Sequence, residues 1–193
     1  MLFNGWSVIS WEQMDAWRGH PFHRENNING IDGDFNRDDQ GTEIHTLDSD
    51  ARILVIRNRQ ESYIRKVVDA VNDLDNVLYE IENEFGPHAK EWQYSMIEYL
   101  RGYEATKPYQ HPIGMTSGGG LGWPYDDTGD LFASSADWIA PSANRDDYRQ
   151  APPVADGSKV VINDTDHLWG IGGNHVWVWK SFMRGLNPIY MDP

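Results

Sequence analysis

The sequence contains no cysteine. That removes disulfides, thiolate nucleophiles and cysteine-ligated zinc in one step, and leaves the redox compartment open. It also lacks any run approaching the ~20 apolar residues that a membrane-spanning helix needs. The opening residues Met1-Leu2-Phe3-Asn4-Gly5-Trp6 show no basic segment ahead of an apolar run, so no signal peptide is visible and a soluble protein is expected. Basic residues are few: 16 Lys and Arg stand against 30 Asp and Glu, for a net charge of -14. Phosphate binding needs clustered cations, so nucleic acid and anionic membranes are poor partners. An uncharged or cationic ligand suits this surface better, although acidity also serves solubility.

Aromatic residues are abundant. Nine Trp and nine Tyr fall in 193 residues, a length that suits one domain spanning 1–193. Many must be core, because each buries a large area. Trp6, Trp11, Trp17 and Trp123 instead lie among Gly, Asp and Asn in apparent loops. Flat apolar faces with one polar edge suit the CH-rich faces of sugar rings; loop packing is the structural alternative.

Strands and helices alternate along the chain. Leu2 to Trp6 is a short apolar segment that opens into a long polar loop reaching about Asp48. From Ala51 to Asp73 the apolar residues Ile56, Tyr63, Ile64, Val67, Val68 and Val71 recur at helical spacing. Val77 to Ile81 favours a strand, and Pro87 opens the next helix. Trp92, Met96, Leu100 and Tyr103 mark one face of that helix. Pro112–Thr116, Asp137–Pro141, Val160–Ile162 and Pro188–Met191 read as further strands. A third helix runs from about Gly173 to Arg184 and stops at Gly185. The loop Ser117-Gly118-Gly119-Gly120 lacks the Lys-Ser/Thr of a phosphate loop, which leaves it as a loop at the rim of the sheet. The alternation predicts an α/β fold with a parallel sheet, of about six strand–helix units. Two architectures fit: a TIM-barrel-like (β/α)8 fold that is incomplete, since a full barrel has eight units, and a flavodoxin-like open sheet.

Active sites of parallel barrels lie at the C-terminal ends of the strands. Two predicted strands end in ionisable residues. The first is Asn76-Val77-Leu78-Tyr79-Glu80-Ile81-Glu82-Asn83-Glu84, which then turns at Gly86-Pro87. Glu80, Glu82 and Glu84 share one parity, and only Glu84 reaches the mouth. A carboxyl among aromatics there has its pKa raised and can act as a general acid. Asn83 can donate to a sugar hydroxyl, provided the strand end is bulged so that Asn83 and Glu84 serve one site. The second is Val160-Val161-Ile162-Asn163-Asp164-Thr165-Asp166-His167. Asp164 is first to the mouth, Asp166 has the same parity and is the fallback, and His167 can orient either. The structural alternative is an Asx-turn or a helix cap. Two carboxylates at two strand ends suit glycoside hydrolysis, in which one protonates the leaving oxygen and the other attacks the anomeric carbon or activates water.

At these residues a family resemblance enters. Tyr79-Glu80-Ile81 followed by Asn83-Glu84 resembles the fourth-strand signature of the clan-A glycoside hydrolases, in which an Asn-Glu pair supplies the acid/base. Val160 to Asp164 is similar to their seventh-strand segment, where the nucleophile is normally Glu and this chain has Asp164. Trp92-Gln93-Tyr94, His111-Pro112-Ile113-Gly114-Met115-Thr116, Asp164 to Gly170 and Asn187 to Pro193 resemble an apiosidase-like group within that clan. The resemblance implies that Leu2 to Trp6 matches about the third barrel strand and that the first two have no counterpart here. A fragment, a shortened barrel, or a homo-oligomer that closes the open barrel would each account for that. The expectation is a retaining O-glycosidase acting on a carbohydrate, with no cofactor required. Glu84 serves as acid/base, Asp164 as nucleophile, and Asn83, His111, Trp138, Asp166, His167 and Trp169 line the sugar site. A non-catalytic carbohydrate-binding protein is the first rival.

A second rival is a calcium-dependent structural or adhesion protein. Asp32, Asp34, Asn36, Asp38, Gln40 and Glu43 fall at positions 1, 3, 5, 7, 9 and 12 of a calcium loop. Position 6 is Arg37, where such loops need Gly. A solvated acidic loop is the alternative. His20, His23 and His45 lie nearby at spacings that match no zinc motif.

Overall fold

The computed structural model describes residues 1–11, 14–84, 86–118, 128–141, 146–165, 168 and 173–191. Asp166, His167, Trp169, Trp123 and the glycines 119 and 120 lie outside them.

Hydrophobic periodicity organises the helices as expected. In α1 (Ala51–Val71) the buried residues are Ile53, Ile56, Gln60, Ile64 and Val68, steps of three and four that make one stripe. Asp50 caps it by accepting the Arg52 N–H at 2.8 Å. In α2 (Lys90–Glu104) Trp92, Met96 and Leu100 are fully buried. Pro87 sits in a 3-10 turn, Pro87–Ala89, just before it. Two short helices follow, α3 (Thr128–Ala133) and α4 (Asp146–Gln150), and then α5 (His175–Met183). Gly185 ends α5 with a φ of 83°, a conformation that L side chains rarely adopt. No helix among the described residues is long and apolar enough to cross a membrane.

The strands are β1 (Phe3–Asn4), β2 (Ser10–Trp11), β3 (Met14–Asp15), β4 (Tyr79–Glu80), β5 (Glu82–Asn83), β6 (Ile113–Thr116), β7 (Trp138–Ala140), β8 (Val160–Asp164) and β9 (Asn187–Ile189). β2 and β3 pair antiparallel inside the polar loop. β4 and β5 are two pieces of one strand, interrupted at Ile81. β1 lies parallel to that strand on one side, with Leu2 and Phe3 N–H donating to the Glu80 and Ile81 carbonyls. β6, β7, β8 and β9 follow on the other side, each parallel to the last. The strands therefore stand side by side in chain order, each joined to the next through helical structure. A flavodoxin-like sheet reverses its strand order at a switch point. Among the described residues the strand order has no reversal, so that alternative does not describe them.

One face of the sheet meets the helices. Tyr79, Ile81, Ile113, Met115, Ile139 and Val161 share a buried cluster with Ile64, Val68, Trp92, Met96, Leu100 and Trp177. Burying each large side chain contributes ~1.5–3 kcal/mol. The opposite face carries Glu80, Gly114, Trp138 and Val160 side by side. A second cluster builds from the polar-looking loop: Val8, Ile9, Trp17, Ile31 and Ile44 close over Ile56 of α1. Trp17 is thus a core residue, and a Cβ added at Gly41 would lie 2.2 Å from its ring.

Candidate functional site

Because the sheet is parallel, every strand ends at the same edge, and that edge gathers the residues that follow each strand. Asn83 closes β5 beside Asn4 of β1. Glu84 comes next, half-buried, with a φ of 54°. Non-glycine residues in this region are uncommon, and such strain collects at functional sites. Asp164 is the last residue of β8, half-buried and beside Ile189. Asn4 was not singled out by sequence, though it follows an apolar strand just as Asn83 and Asp164 do. Its Oδ1 accepts the Trp6 N–H at 3.1 Å, which tightens the turn after β1.

The strand interruption changes the expected parity. Glu80, Glu82 and Glu84 were expected on one face. Glu80 does face the Trp138 row, where its Oε1 accepts the Thr116 hydroxyl at 3.0 Å. Past Ile81 the alternation slips. Glu82 is fully buried with its Oε1 2.7 Å from Nδ1 of His45, which comes from the 3-10 turn Thr42–His45. His45 stacks on Trp92 with ring centres 4.4 Å apart. Trp92 Nε1 donates to Gln60 Oε1 at 3.1 Å, and Gln60 Nε2 donates to the Ile44 carbonyl at 3.0 Å. Glu82 therefore belongs to the helix layer, and Ile81 and Glu82 both point that way. The slip precedes Asn83 and Glu84 and does not change their relation to each other; the departure from strand geometry next to Asn83 is the left-handed φ of Glu84.

Two expected sugar contacts are placed elsewhere. His111 precedes β6, at the opposite edge of the sheet from Glu84 and Asp164. Its Nδ1 lies 2.7 Å from Glu104 Oε1, its Nε2 2.7 Å from the Leu74 carbonyl, and its own N–H donates to Glu104 Oε2 at 2.8 Å. Glu104 also accepts from Tyr79 and Asn72. The hydrogen bond to Glu104 holds the His111 pKa above its ordinary value. His111 is a tie between α1, α2 and β6, because a His-Pro ahead of a strand marks its entry rather than its exit. Trp138 opens β7 rather than closing it, and its indole covers Gly114, where a Cβ would come within 1.9 Å of the ring. It packs the inner face below the edge.

Beside β1 lies a cleft of about 660 Å³, lined among others by Phe3, Asn4, Trp6, Phe22, His45 and Tyr63. His20 also faces it. Burial first, then the nearby His45 and His23, pushes the His20 pKa down to about 3, so the ring is neutral at neutral pH.

In the acidic loop, one oxygen each from Asp34, Asp38 and Glu43 lie within 4.8 Å of one another. Arg37 has a φ of 64°, so position 6 adopts the conformation a calcium loop needs without the glycine. Asp34 accepts the backbone N–H groups of Arg37, Asp38 and Asp39, and Glu43 Oε1 accepts those of Phe35 and Asn36. Asp32 does not join the trio and pairs with Arg37 at 3.6 Å, while the Asn36 amide lies against the trio, Nδ2 donating to Asp38 Oδ2 at 3.1 Å.

No family model, curated protein or solved structure matches this chain.

Proposed function

We propose that this protein is a glycoside hydrolase in which Glu84 is the proton donor and Asp164 the second carboxylate. The observation that carries the reading is the placement of these two half-buried carboxyl groups after two different strands, at one edge of an in-order parallel sheet. Asn83 and Asn4, neighbours across β5 and β1, supply amides along the same edge for sugar hydroxyls. The in-order sheet with helices on one face is the larger part of a (β/α)8 barrel on this reading.

The strand bearing Glu84 and the strand bearing Asp164 are separated by β6 and β7. Three steps of ~4.8 Å put them ~14 Å apart in a flat sheet. Barrel curvature turns both side chains toward a common centre and shortens that span. A final carboxyl separation of ~5–5.5 Å gives retention, with a glycosyl–Asp164 ester that Glu84 helps water to hydrolyse; ~6.5–9.5 Å gives inversion. Asp is one methylene shorter than Glu, so the sugar must sit closer to β8 for retention.

The test is hydrolysis of a panel of aryl glycosides by the parent, Glu84→Gln and Asp164→Asn. Loss of ~10²-fold or more in both variants is expected, the usual scale for removing an acid/base group. An active parent whose two variants keep most of its turnover would overturn the assignment. A parent that binds sugar saturably without turnover would favour the non-catalytic rival.

The carboxylate trio favours a second reading for the acidic loop: a structural calcium ion held by Asp34, Asp38 and Glu43. It would stiffen the loop that carries Trp17 and His45 and is compatible with the hydrolase reading.

A further inference from the structure

Both outer edges of the sheet lack a partner strand among the described residues: β1 pairs only with β5, and β9 only with β8. Each edge carries an apolar surface. Beyond β9 a cleft of about 700 Å³ is lined by Val160, Ile162, Val178, Trp179, Phe182 and Ile189, with Asn187 and Pro188. Trp179 is 66% exposed, and its ring meets the exposed ring of Phe182 at 6.2 Å. Val176, Trp179 and Met183 form an outward stripe on α5, while Trp177 and Ser181 of the same helix are buried. A helix apolar on all sides is normally covered on all sides. At the other end the cleft beside β1 is bordered by α1, whose outer surface exposes Leu54, Val55 and Tyr63.

Charge narrows the choice of occupant. The chain carries -14, yet no Asp or Glu lines either cleft, and the cleft beside β1 is bordered by Arg59 and the Met1 amino group. Two copies can therefore meet at these surfaces without bringing acid against acid. Direction fits as well. All six strand positions run parallel and in order, so β9 of one copy beside β1 of another repeats the arrangement found between neighbouring strands within the chain. The helix layer continues too, α5 of one copy meeting α1 of the next. Val160, Val176, Trp179, Phe182, Met183 and Ile189 together expose on the order of 700 Å² of side chain, taking ~150–250 Å² for a whole aromatic. That is close to the ~800 Å² per partner of a stable interface. Pro188 leaves β9 without one backbone donor, so side-chain packing supplies most of the join.

We propose that this protein self-associates head to tail, the β9–α5 end of one copy docking on the β1–α1 end of a second. Such an interface is heterologous: two copies joined at both ends close a ring, and open joining gives longer chains.

Sedimentation and light scattering across a micromolar concentration series test this. The parent should reach at least twice the monomer mass. Trp179→Glu combined with Phe182→Glu blocks one end, and Val55→Glu combined with Leu54→Glu blocks the other; all four side chains are exposed, and circular dichroism verifies that each variant folds. Each blocked variant alone should be monomeric over the same concentration range. An equimolar mixture should form a dimer and stop there, because its one intact end of each kind is used in that contact and both outward ends are blocked. A parent that is monomeric at every concentration overturns the proposal. So does a blocked variant that still dimerises alone, or a mixture that does not associate.

Discussion

Glu84 directly follows β5 and Asp164 closes β8, so both lie at the C-terminal edge of the parallel sheet. Glu80 lies beside Gly114, Gly114 beside Trp138, and Trp138 beside Val160. Glu84 comes four residues after Glu80, across the interruption at Ile81, and Asp164 four after Val160 in an unbroken strand.

The row beneath them is closed by Trp138 over Gly114, and there the cost of one methyl group is large. Gly114→Ala puts a Cβ 1.9 Å from the indole, so the ring must move. Overpacking of this kind costs ~1–3 kcal/mol. Chemical denaturation should show a loss in that range or above, and Gly114→Ala combined with Trp138→Leu should recover part of it. An unchanged midpoint for Gly114→Ala would contradict the packing described.

His111 should stabilise the fold more at low pH than at high pH. Both ring nitrogens face oxygens that can only accept, Glu104 Oε1 and the Leu74 carbonyl, so the doubly protonated ring satisfies both. Its folded pKa therefore lies above the unfolded ~6.5. A raised pKa gives a contribution that is complete below the unfolded value and is lost as pH rises through the folded one. The gap in melting temperature between the parent and His111→Asn should be widest near pH 5.5 and narrow by pH 8.5. A gap that widens with pH would refute the charged pair.

Glu84→Gly separates function from stability. A left-handed φ costs an L residue ~1–2 kcal/mol, which glycine does not incur. That relief opposes the loss of the side chain's own contacts. Thermal unfolding should place Glu84→Gly within ~1 kcal/mol of the parent while hydrolysis is lost. A fall of several kcal/mol would mean that Glu84 is held there for the fold.

Calcium should raise the melting temperature if the Asp34–Asp38–Glu43 trio holds it. A ligand at 100 times its Kd stabilises by ~2.7 kcal/mol. EDTA should reverse the rise, and Glu43→Gln should remove it. A melting temperature indifferent to both additives leaves the loop held by its own backbone hydrogen bonds.

The sheet was legible because its strands are apolar runs bounded by breakers. Val160–Asp164 and Ile113–Thr116 fall where the sequence put them, as do the stripes of α1 and α2. The short helices α3 and α4 were not legible: five or six residues hold too little periodicity to distinguish from a loop. The loop ahead of α1 read as polar, yet Trp17, Ile31 and Ile44 close a cluster within it, because contacts between distant residues leave no local pattern. The same holds for Glu82. Strand alternation assigned it to the inner face, and only the interruption at Ile81 and its partner His45, 37 residues earlier in the chain, explain its burial in the helix layer. His111 and Trp138 were expected to line the sugar site, yet one stands ahead of β6 and the other at the start of β7, away from the edge that carries Glu84 and Asp164.

Azide rescue tests the paired carboxylates most directly. With an activated aryl glycoside, Asp164→Ala should regain turnover in azide and release a glycosyl azide of inverted configuration, and Glu84→Ala should release one of retained configuration, both read by proton NMR. Failure of azide to appear in the product of either variant, while the parent hydrolyses the same glycoside, would contradict the roles given to these two residues.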